Sequence, residues 1–166
     1  MSVASAQTLY VIQPVTPFVT RTVWQTRYGG LTYGLGPASY DVRVNENIIM
    51  RPGDFALVST LERFDMPLNM LGVVHDKSTW ARKGLVVQNT LIDPGWKGHL
   101  TLELTFHRPA DADPLVLAAG DPIAQVVFHL LDKPTNQPYP SDGKYQNQEP
   151  GAHAARFDPA EAPLPT

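Results

Sequence analysis

The stretch from His75 to Lys83, H-D-K-S-T-W-A-R-K, brings together residue types that bind phosphate. Its cations and hydroxyl groups belong to Lys77, Ser78, Thr79 and Arg82. With Ser78 as N-cap and Gly84 as C-terminal stop, the pattern predicts a short helix directly after a strand. Helix-start amides, hydroxyls and cations together suit a phosphate chain. An ordinary capped surface turn explains the same pattern. The spacing is not that of a P-loop, because Asp76 replaces the second glycine.

Two carboxylates further along the chain have positions from which they can do chemistry. Asp93 opens the tight turn Asp93-Pro-Gly95, where it either bonds its own backbone or holds a sugar hydroxyl or a water. Glu103 lies in the strictly alternating stretch from His99 to His107, on the polar face. A glutamate there either faces solvent or, in a cavity or interface, serves as general base and then general acid.

Other catalytic patterns are missing from the sequence. It has no cysteine, which excludes disulfides and thiolate metal sites. The five histidines have no metal-ligand spacing such as H-E-x-x-H. Neither a nucleophile-elbow serine nor a G-x-G-x-x-G motif is present. The polar segment from Gly143 to Gly151 is interpreted as a surface loop, with a mobile lid as one of several options.

The elements that position these residues are predicted to be short strands. Prolines (16) and glycines (12) punctuate many short apolar segments along the 166 residues, a pattern typical of an all-β chain. At this length one domain is expected. Strands are predicted near Tyr40–Val44, Phe55–Ser59, Leu71–His75, Leu85–Gln88, Leu100–Phe106 and Ile123–Leu131. The one helix predicted in the middle of the chain is the short one over residues 78–84.

Charge and hydropathy exclude two kinds of partner. The net charge is −3 and the isoelectric point is about 5.9, whereas a general nucleic-acid binder is basic. No apolar run is long enough to span a bilayer, and the N-terminus lacks the pattern of a signal peptide. We therefore expect no nucleic acid, no membrane and a cytoplasmic protein. The proline-rich residues 157–166 are predicted to be disordered.

Taken together, segments between Gly36 and Arg156 resemble the dCTP deaminase/dUTPase family. In chain order they are Pro37-Ala-Ser-Tyr-Asp-Val-Arg43, Lys77-Ser-Thr-Trp-Ala-Arg82, Ile92-Asp-Pro-Gly-Trp-Lys-Gly98 with Thr101-Leu-Glu-Leu104, Gly120-Asp-Pro-Ile-Ala-Gln125 and Gly143-Lys-Tyr-Gln-Asn-Gln148. They are similar to the first family motif, the R-S-S-L-A-R phosphate motif, the catalytic hairpin and strand, the glycine turn with its glutamine, and the deaminases' C-terminal lid. Each is weak alone; their common order makes the resemblance specific.

The resemblance implies a distorted β-barrel or jelly-roll of the dUTPase-like type, all-β with one or a few short helices. It implies a homotrimer with active sites shared between subunits. Residues 1–156 are expected to form the domain, with an unmatched start at 1–30 and a lid at 140–156. The expected substrate is a pyrimidine deoxynucleoside triphosphate that carries Mg²⁺ on its phosphates. This is a zinc-free route to deamination, unlike that of the zinc nucleobase deaminases.

The resemblance also assigns roles to residues. The expected catalytic residues are Glu103, Ser78 and Arg82. The expected substrate-binding residues are Lys77, Thr79, Gln88, Asp93, Gln125, Tyr139, Lys144 and Gln148. Glu103 would deprotonate the water that attacks C4 of cytosine, and Asp93 would hold the 3′-hydroxyl. Lys77 stands where the family usually has arginine, so bidentate phosphate binding is lost there.

Several functions fit this resemblance. Thr101-Leu-Glu-Leu104 and the lid favour a dCTP deaminase. Val87-Gln-Asn89 and the segment Gly120–Gln125 are closer to a dUTPase, but the glycine-rich C-terminal motif of trimeric dUTPases is absent. A bifunctional enzyme lies between them. The hairpin Leu85–Ile92 is shorter than in typical members, so a modified pyrimidine is another possible substrate. A non-catalytic nucleotide-binding regulator is the remaining alternative, because a fold does not fix a function.

Overall fold

The computed structural model describes residues 2–157, and strands dominate them. The strands are β1 (Ser2–Val3), β2 (Val15–Thr16), β3 (Thr22–Thr26), β4 (Gly29–Leu35), β5 (Tyr40–Arg43), β6 (Ile48–Met50), β7 (Phe55–Asp65), β8 (Met70–Asp76), β9 (Leu85–Val87), β10 (Leu91–Ile92), β11 (Lys97–Phe106), β12 (Leu115–Leu117) and β13 (Pro122–Leu130). The helices are α1 (Ala6–Ile12) and α2 (Ser78–Ala81). The all-β prediction is confirmed. Of residues 157–166, which are predicted to be disordered, 158–166 lie outside the described residues.

Two larger sheets enclose the hydrophobic core. The first has the order β10-β8-β13-β5-β4-β3, with β1 added to β13; the second has the order β2-β7-β11-β9, and β6 pairs with β12. One cluster of buried side chains joins the sheets, with Leu102 and Leu104 from the second and Val126 and Phe128 from the first, all 0% exposed. Burying these chains supplies most of the stabilisation of such a fold.

The alternation of β11 places Glu103 on the outer side of the second sheet. Even-numbered residues from Leu100 to Phe106 are buried, and the odd-numbered residues between them are partly exposed. Glu103 lies opposite Leu57 of β7, and Thr101 lies opposite Ser59. Cross-strand partners share one face of a sheet, so all of these side chains belong to the outer face. The predicted alternation is confirmed.

All six predicted strands form, and β7 is longer than expected. It continues past Ser59 to Asp65 because its buried polar side chains have partners. The Ser59 hydroxyl donates to Glu46 at 2.5 Å, and the Thr60 hydroxyl donates to the Glu62 carbonyl at 2.7 Å. Polar groups that are hydrogen-bonded can be buried at little cost in free energy. The second half of β7 is therefore a buried strand although its polar sequence did not predict one.

The helices differ from the prediction. Lys77, not Ser78, occupies the N-cap position of α2, and no side chain caps it. The helix ends at Ala81, and a turn continues to Gly84, whose φ is +94°. Helix α1 was not predicted; the Ser5 hydroxyl caps it by accepting the Thr8 N–H at 3.4 Å. Only Leu9 of its seven residues is buried, so its apolar face gives little periodic signal.

A buried ion pair joins β5 to β7. The Glu62 carboxylate is 0% exposed and accepts the backbone N–H of Arg43 at 2.8 Å and its Nε–H at 2.7 Å. The Arg43 guanidinium lies 4.3 Å from the centre of the Tyr33 ring. Burial raises the pKa of Glu62, and the hydrogen bonds from Arg43 oppose that rise. The pair therefore links the first sheet, which contains β5, to the second sheet, which contains β7.

Replacing Glu62 by Ala should lower the free energy of unfolding by about 3–5 kcal/mol, because it leaves the Arg43 charge buried without a partner. Asp65→Ala is the matched control, since it breaks the Lys97–Asp65 pair, whose side chains are 45% and 58% exposed. The control should cost less than about 1 kcal/mol. Urea denaturation measures both values. Equal losses would contradict a structural role for the buried pair.

Candidate active site

A cavity of about 430 Å³ opens beside the outer face of β7 and β11. Four of the residues expected in the site line it, namely Asp93, Glu103, Tyr139 and Gln148. Apolar walls come from Phe55, Leu57, Leu91 and Trp96. A cavity of this size with apolar walls and a few converging polar groups has the properties of a small-molecule site.

The backbone on both sides of Glu103 is anchored in the second sheet. Its flanking residues Leu102 and Leu104 are fully buried, and its carbonyl accepts the N–H of Gln88 at 2.9 Å. Its side chain is half-buried opposite Leu57. Within residues 2–157, no side-chain hydrogen bond or ion pair engages the Glu103 carboxylate. The carboxylate is therefore free to bind a ligand or a water.

The Asp93 turn is fixed by its backbone. The Asp93 carbonyl accepts the N–H of Trp96 at 3.1 Å, and the N–H of Gly95 donates to the Met66 carbonyl at 3.0 Å. Gly95 has a φ of +83°, and a Cβ there would lie 2.8 Å from Pro138, so only glycine fits without a shift. The exposed Asp93 carboxylate makes no hydrogen bond to this turn among the described residues. It lines the cavity instead.

The chain after Tyr139 runs along one wall of the cavity. The Tyr145 carbonyl accepts the Nε1–H of Trp96 at 2.8 Å. The N–H of His99 donates to the carbonyl of Gln148 at 2.9 Å. At Gly98, with a φ of +142°, a Cβ would lie 2.6 Å from the Gln148 backbone nitrogen. These contacts place Gln148, which is 8% exposed, against the start of β11.

Two hydroxyls hold the next part of this segment over the Glu103 face. The Ser59 hydroxyl accepts the Gly151 N–H at 3.1 Å, and the Thr101 hydroxyl accepts the His153 N–H at 3.2 Å. Ser59 and Thr101 are cross-strand partners. Residues 153–155 therefore line the cavity on the side away from the core.

The residues of α2 do not reach this cavity. Ser78, Thr79 and Arg82 are exposed, and none of them lines the cavity that contains Glu103. Arg82 instead lines a second cavity of about 560 Å³, together with Tyr28, Lys83 and Arg108. Within one chain, the structure thus leaves the expected phosphate-binding residues apart from Glu103.

Lys77 and Gln125 belong to a buried polar network. The Lys77 ammonium bonds the Asp41 carboxylate at 2.5 Å, with the two side chains 11% and 7% exposed. The Gln125 amide donates to Asp41 at 3.2 Å and to the Ser39 hydroxyl at 3.0 Å. Sequence reasoning did not assign roles to Asp41 and Ser39. The one indication of a role for these two residues was that they lie in the segment Pro37–Arg43, which resembles the first family motif.

Gln88 and Lys144 are the last two expected site residues. Gln88 is exposed directly after β9, next to Glu103 through its backbone bond. Lys144 is exposed in the C-terminal segment, with its ammonium 5.8 Å from the centre of the Tyr145 ring. The Lys144 carbonyl accepts a guanidinium N–H of Arg156 at 2.7 Å. Neither side chain lines the cavity that contains Glu103.

The described part of the chain has neither a metal-binding cluster nor a membrane-spanning helix. Residues 2–157 contain no group of three or more histidine, cysteine or acidic residues that is able to hold a metal ion. Neither of the helices described in those residues has the length and hydropathy needed to cross a membrane.

Comparison with known proteins identifies relatives of the chain. Residues 38–131 match the model of a family described as dCTP deaminase-like. A dCTP deaminase of Campylobacter concisus (strain 13826) is 33% identical over 165 residues, covering 81% of this chain and 86% of that protein. The dCTP deaminase of Sulfurovum sp. (strain NBC37-1) is 34% identical over 165 residues, covering 81% and 84%.

Solved structures share the fold. The 2′-deoxycytidine 5′-triphosphate deaminase from Agrobacterium tumefaciens superposes with a TM-score of 0.59 at 16% identity, covering 76% of this chain and 47% of that one. A variant of the dUTPase from phage phi11 of S. aureus, described with a structural Mg(II) ion, superposes with a TM-score of 0.55 at 20% identity, covering 72% and 95%. The predicted dUTPase-like architecture is confirmed.

Proposed function

The chain belongs to the dCTP deaminase-like family, and we propose that it hydrolyses dCTP to dUTP and ammonia. The observation that carries this proposal is a half-buried glutamate, Glu103, whose carboxylate has no partner among residues 2–157 and lies in a cavity that also contains Asp93. The cavity contains the carboxylate that deamination needs and has the volume for a nucleoside. The curated relatives are named dCTP deaminases.

Glu103 is proposed to act first as base and then as acid. It takes a proton from a water while the oxygen bonds to C4 of cytosine. It passes this proton to the ring nitrogen, then takes the proton of the new C4 hydroxyl and gives it to the departing amino group. The C4–N bond breaks, ammonia leaves and a C4 carbonyl remains, so dCTP and water become dUTP and ammonia. Such proton transfer contributes a factor of about 10²–10⁴ to the rate.

The rest of the cavity is proposed to orient the nucleoside and exclude solvent. Asp93 is assigned to the 3′-hydroxyl, and Tyr139 and Gln148 reach the substrate from the C-terminal segment. The apolar walls formed by Phe55, Leu57, Ala154 and Ala155 keep bulk water from the reacting carbon. Excluding water strengthens the electrostatic interactions of the carboxylates with the substrate. Residues 140–156 thus serve as a lid.

The triphosphate is proposed to be bound by α2 of a second copy of the chain. In a cyclic homotrimer each subunit contacts the next through two different surfaces. One copy's Ser78, Thr79 and Arg82 are therefore able to face the Glu103 cavity of its neighbour. This arrangement accounts for the separation of the two sets of residues within one chain. Lys144 of the lid and Gln88, which is bonded to Glu103 through its backbone, complete the proposed contacts.

Lys77 and Gln125 are proposed to support phosphate binding indirectly, without contacting the phosphates themselves. Because Asp41 neutralises Lys77 in a buried pair, Lys77 is better suited to fixing the start of α2 than to binding phosphate directly. Gln125 holds Asp41 from the other side. Magnesium is proposed to be held by oxygens of the triphosphate. It would neutralise phosphate charge.

A dUTPase, or an enzyme that performs both reactions, is the second candidate. The exposed Asp93 carboxylate in the same cavity favours it, because that group is able to orient a water toward a phosphate. Deamination takes precedence because Glu103 would have no chemical task in phosphate hydrolysis. A silent nucleotide-binding regulator would need neither carboxylate. A cytoplasmic location is part of the same proposal.

Incubation of the purified protein with Mg²⁺ and either dCTP or dUTP tests the proposal. Ammonia and pyrophosphate are assayed, and the nucleotides are separated. The proposal predicts one ammonia and one dUTP for each dCTP consumed. Subsequent dUMP and pyrophosphate would make the enzyme bifunctional. Pyrophosphate from dUTP with dCTP left intact would overturn deamination, and binding without turnover of either nucleotide would indicate a regulator.

A further inference from the structure

A β-hairpin precedes the segment that matches the family model, which begins at residue 38. Its strands β3 and β4 pair from Thr22 opposite Tyr33 to Thr26 opposite Gly29. The loop between them consists of Arg27 and Tyr28. The Thr26 hydroxyl closes it by donating to the Gly29 carbonyl at 2.9 Å and accepting the Tyr28 N–H at 3.0 Å. These two hydrogen bonds close the turn at the hairpin tip.

The tip of this hairpin contacts helix α2. The Tyr28 ring meets the ring of Trp80 edge to face, with centres 5.7 Å apart and an interplanar angle of 82°. The Lys83 ammonium lies 4.5 Å from the centre of the Tyr28 ring, within the range of a cation–π interaction. The Tyr28 hydroxyl accepts the N–H of Val116 at 2.9 Å. Tyr28 thus connects α2 to β12.

A second aromatic residue anchors the hairpin to the turn that also holds α2. The Trp24 Nε1–H donates to Asp121 at 3.1 Å, and a Cβ on Gly120 would lie 2.9 Å from the Trp24 ring. The indole N–H of Trp80 donates to the carbonyl of Pro122. The hairpin and α2 are therefore both fixed to residues 120–122.

Helix α2 depends on such contacts for its orientation. It has four residues and no side-chain N-cap, and an isolated helix of that length is unstable. Trp80, which is 1% exposed, fixes its inner side. Tyr28 packs against Trp80 and Lys83 from the hairpin. The exposed side that remains carries the groups assigned to the triphosphate.

We propose that the β3–β4 hairpin is a clamp on α2, and that Tyr28 is a positioning residue for triphosphate binding. The clamp holds Ser78, Thr79 and Arg82 in the orientation that the phosphates require. This inference rests on the proposed function, since it takes α2 as the phosphate-binding element. It predicts that loss of the Tyr28 ring weakens substrate binding more than it slows the chemical step.

The test compares Tyr28→Ala with Tyr28→Phe and Val23→Ala. Phenylalanine keeps the ring contacts and loses only the hydroxyl. Val23 lies on the same hairpin and is 60% exposed, which makes it the matched control. Tyr28→Ala removes the edge-to-face aromatic pair, and we expect this loss to raise the KM for dCTP about threefold to tenfold. We expect its kcat to stay within about twofold of wild type, with wild-type KM in the other two variants.

Hydrogen exchange measures the clamp without any substrate. We expect the amides of Ala81 and Arg82 to exchange faster in Tyr28→Ala than in Val23→Ala, because α2 opens more often. Unchanged exchange in Tyr28→Ala would overturn the clamp whether or not the enzyme deaminates dCTP. A rise of KM in Tyr28→Phe equal to that in Tyr28→Ala would also overturn the clamp. It would assign the effect to the hydrogen bond between the Tyr28 hydroxyl and the Val116 N–H instead of to the ring contacts. No ammonia from wild type would refute the proposed function instead, leaving exchange to decide the clamp.

Discussion

Replacing Glu103 by Gln is expected to lower kcat for ammonia release from dCTP by a factor of about 10²–10⁴ or more, because an amide cannot accept the proton of the attacking water. The substitution keeps the shape of the side chain. The free energy of dCTP binding, obtained from the Kd, should therefore change by less than about 1 kcal/mol. Ammonia release at saturating dCTP and calorimetric binding measure the two quantities. This split between turnover and binding identifies a group that acts in the chemical step.

Asp132→Asn is the control for Glu103→Gln. It makes the same carboxylate-to-amide change at an exposed residue that lines neither of the two cavities. We expect wild-type turnover from it. If Glu103→Gln released ammonia at the wild-type rate while folding normally, Glu103 would not be the base, and the assignment of this cavity would be wrong.

Replacing Arg82 by Ala should lower kcat/KM for dCTP by a factor of about 10–100, the loss expected when a charged hydrogen bond to a phosphate or to the reaction centre is removed. Arg82 is exposed, and its side chain has no hydrogen bond or ion pair to any residue within 2–157. The free energy of unfolding should therefore change by less than about 0.5 kcal/mol. Steady-state kinetics and urea denaturation check the two expectations.

Arg51→Ala serves as the control for Arg82→Ala, because Arg51 is an exposed arginine that lines neither cavity. It should retain wild-type kinetics. A similar loss in both variants would point to a general effect of net charge on the attraction of an anionic substrate. A wild-type kcat/KM in Arg82→Ala would remove α2 from the proposed site.

The sequence predicted the elements whose residues follow a simple period. The alternation of β11 was visible because its even-numbered residues are apolar and buried, and it correctly placed Glu103 on the opposite face. The second half of β7 was missed because its buried residues are polar. Ser59 and Glu62 are satisfied by Glu46 and Arg43, and those partners are not adjacent in sequence. No local pattern reveals such pairing.

The same limit applies to the candidate site. The order of the motifs predicted that Asp93, Glu103 and Gln148 belong to one site, and all three line one cavity. The pairing of Lys77 with Asp41 joins residues far apart in the chain, so no spacing rule was able to predict it. The N-cap of α2 was misplaced because tertiary contacts of Trp80, rather than a capping side chain, fix where that helix begins.

The hairpin β3–β4 was missed although its residues carry a strand signal. The run Thr22–Thr26 is rich in β-branched and aromatic residues, and Gly29 with Gly30 follows it closely, as is typical of a hairpin. Because no family motif matches this segment, the sequence analysis predicted no strand and no function for it. Its relation to α2 follows only from the contacts of Tyr28 and Trp24.

The most direct test of a site shared between two copies of the chain is ammonia release by mixed oligomers of two impaired variants. Glu103→Gln and Arg82→Ala chains are co-expressed with different tags, and oligomers that contain both are isolated. In a cyclic trimer that contains both kinds of chain, one of the three sites combines an intact Glu103 with an intact neighbouring Arg82. The account predicts recovery to about a third of wild-type turnover. Mixed oligomers no more active than the separate variants would contradict it.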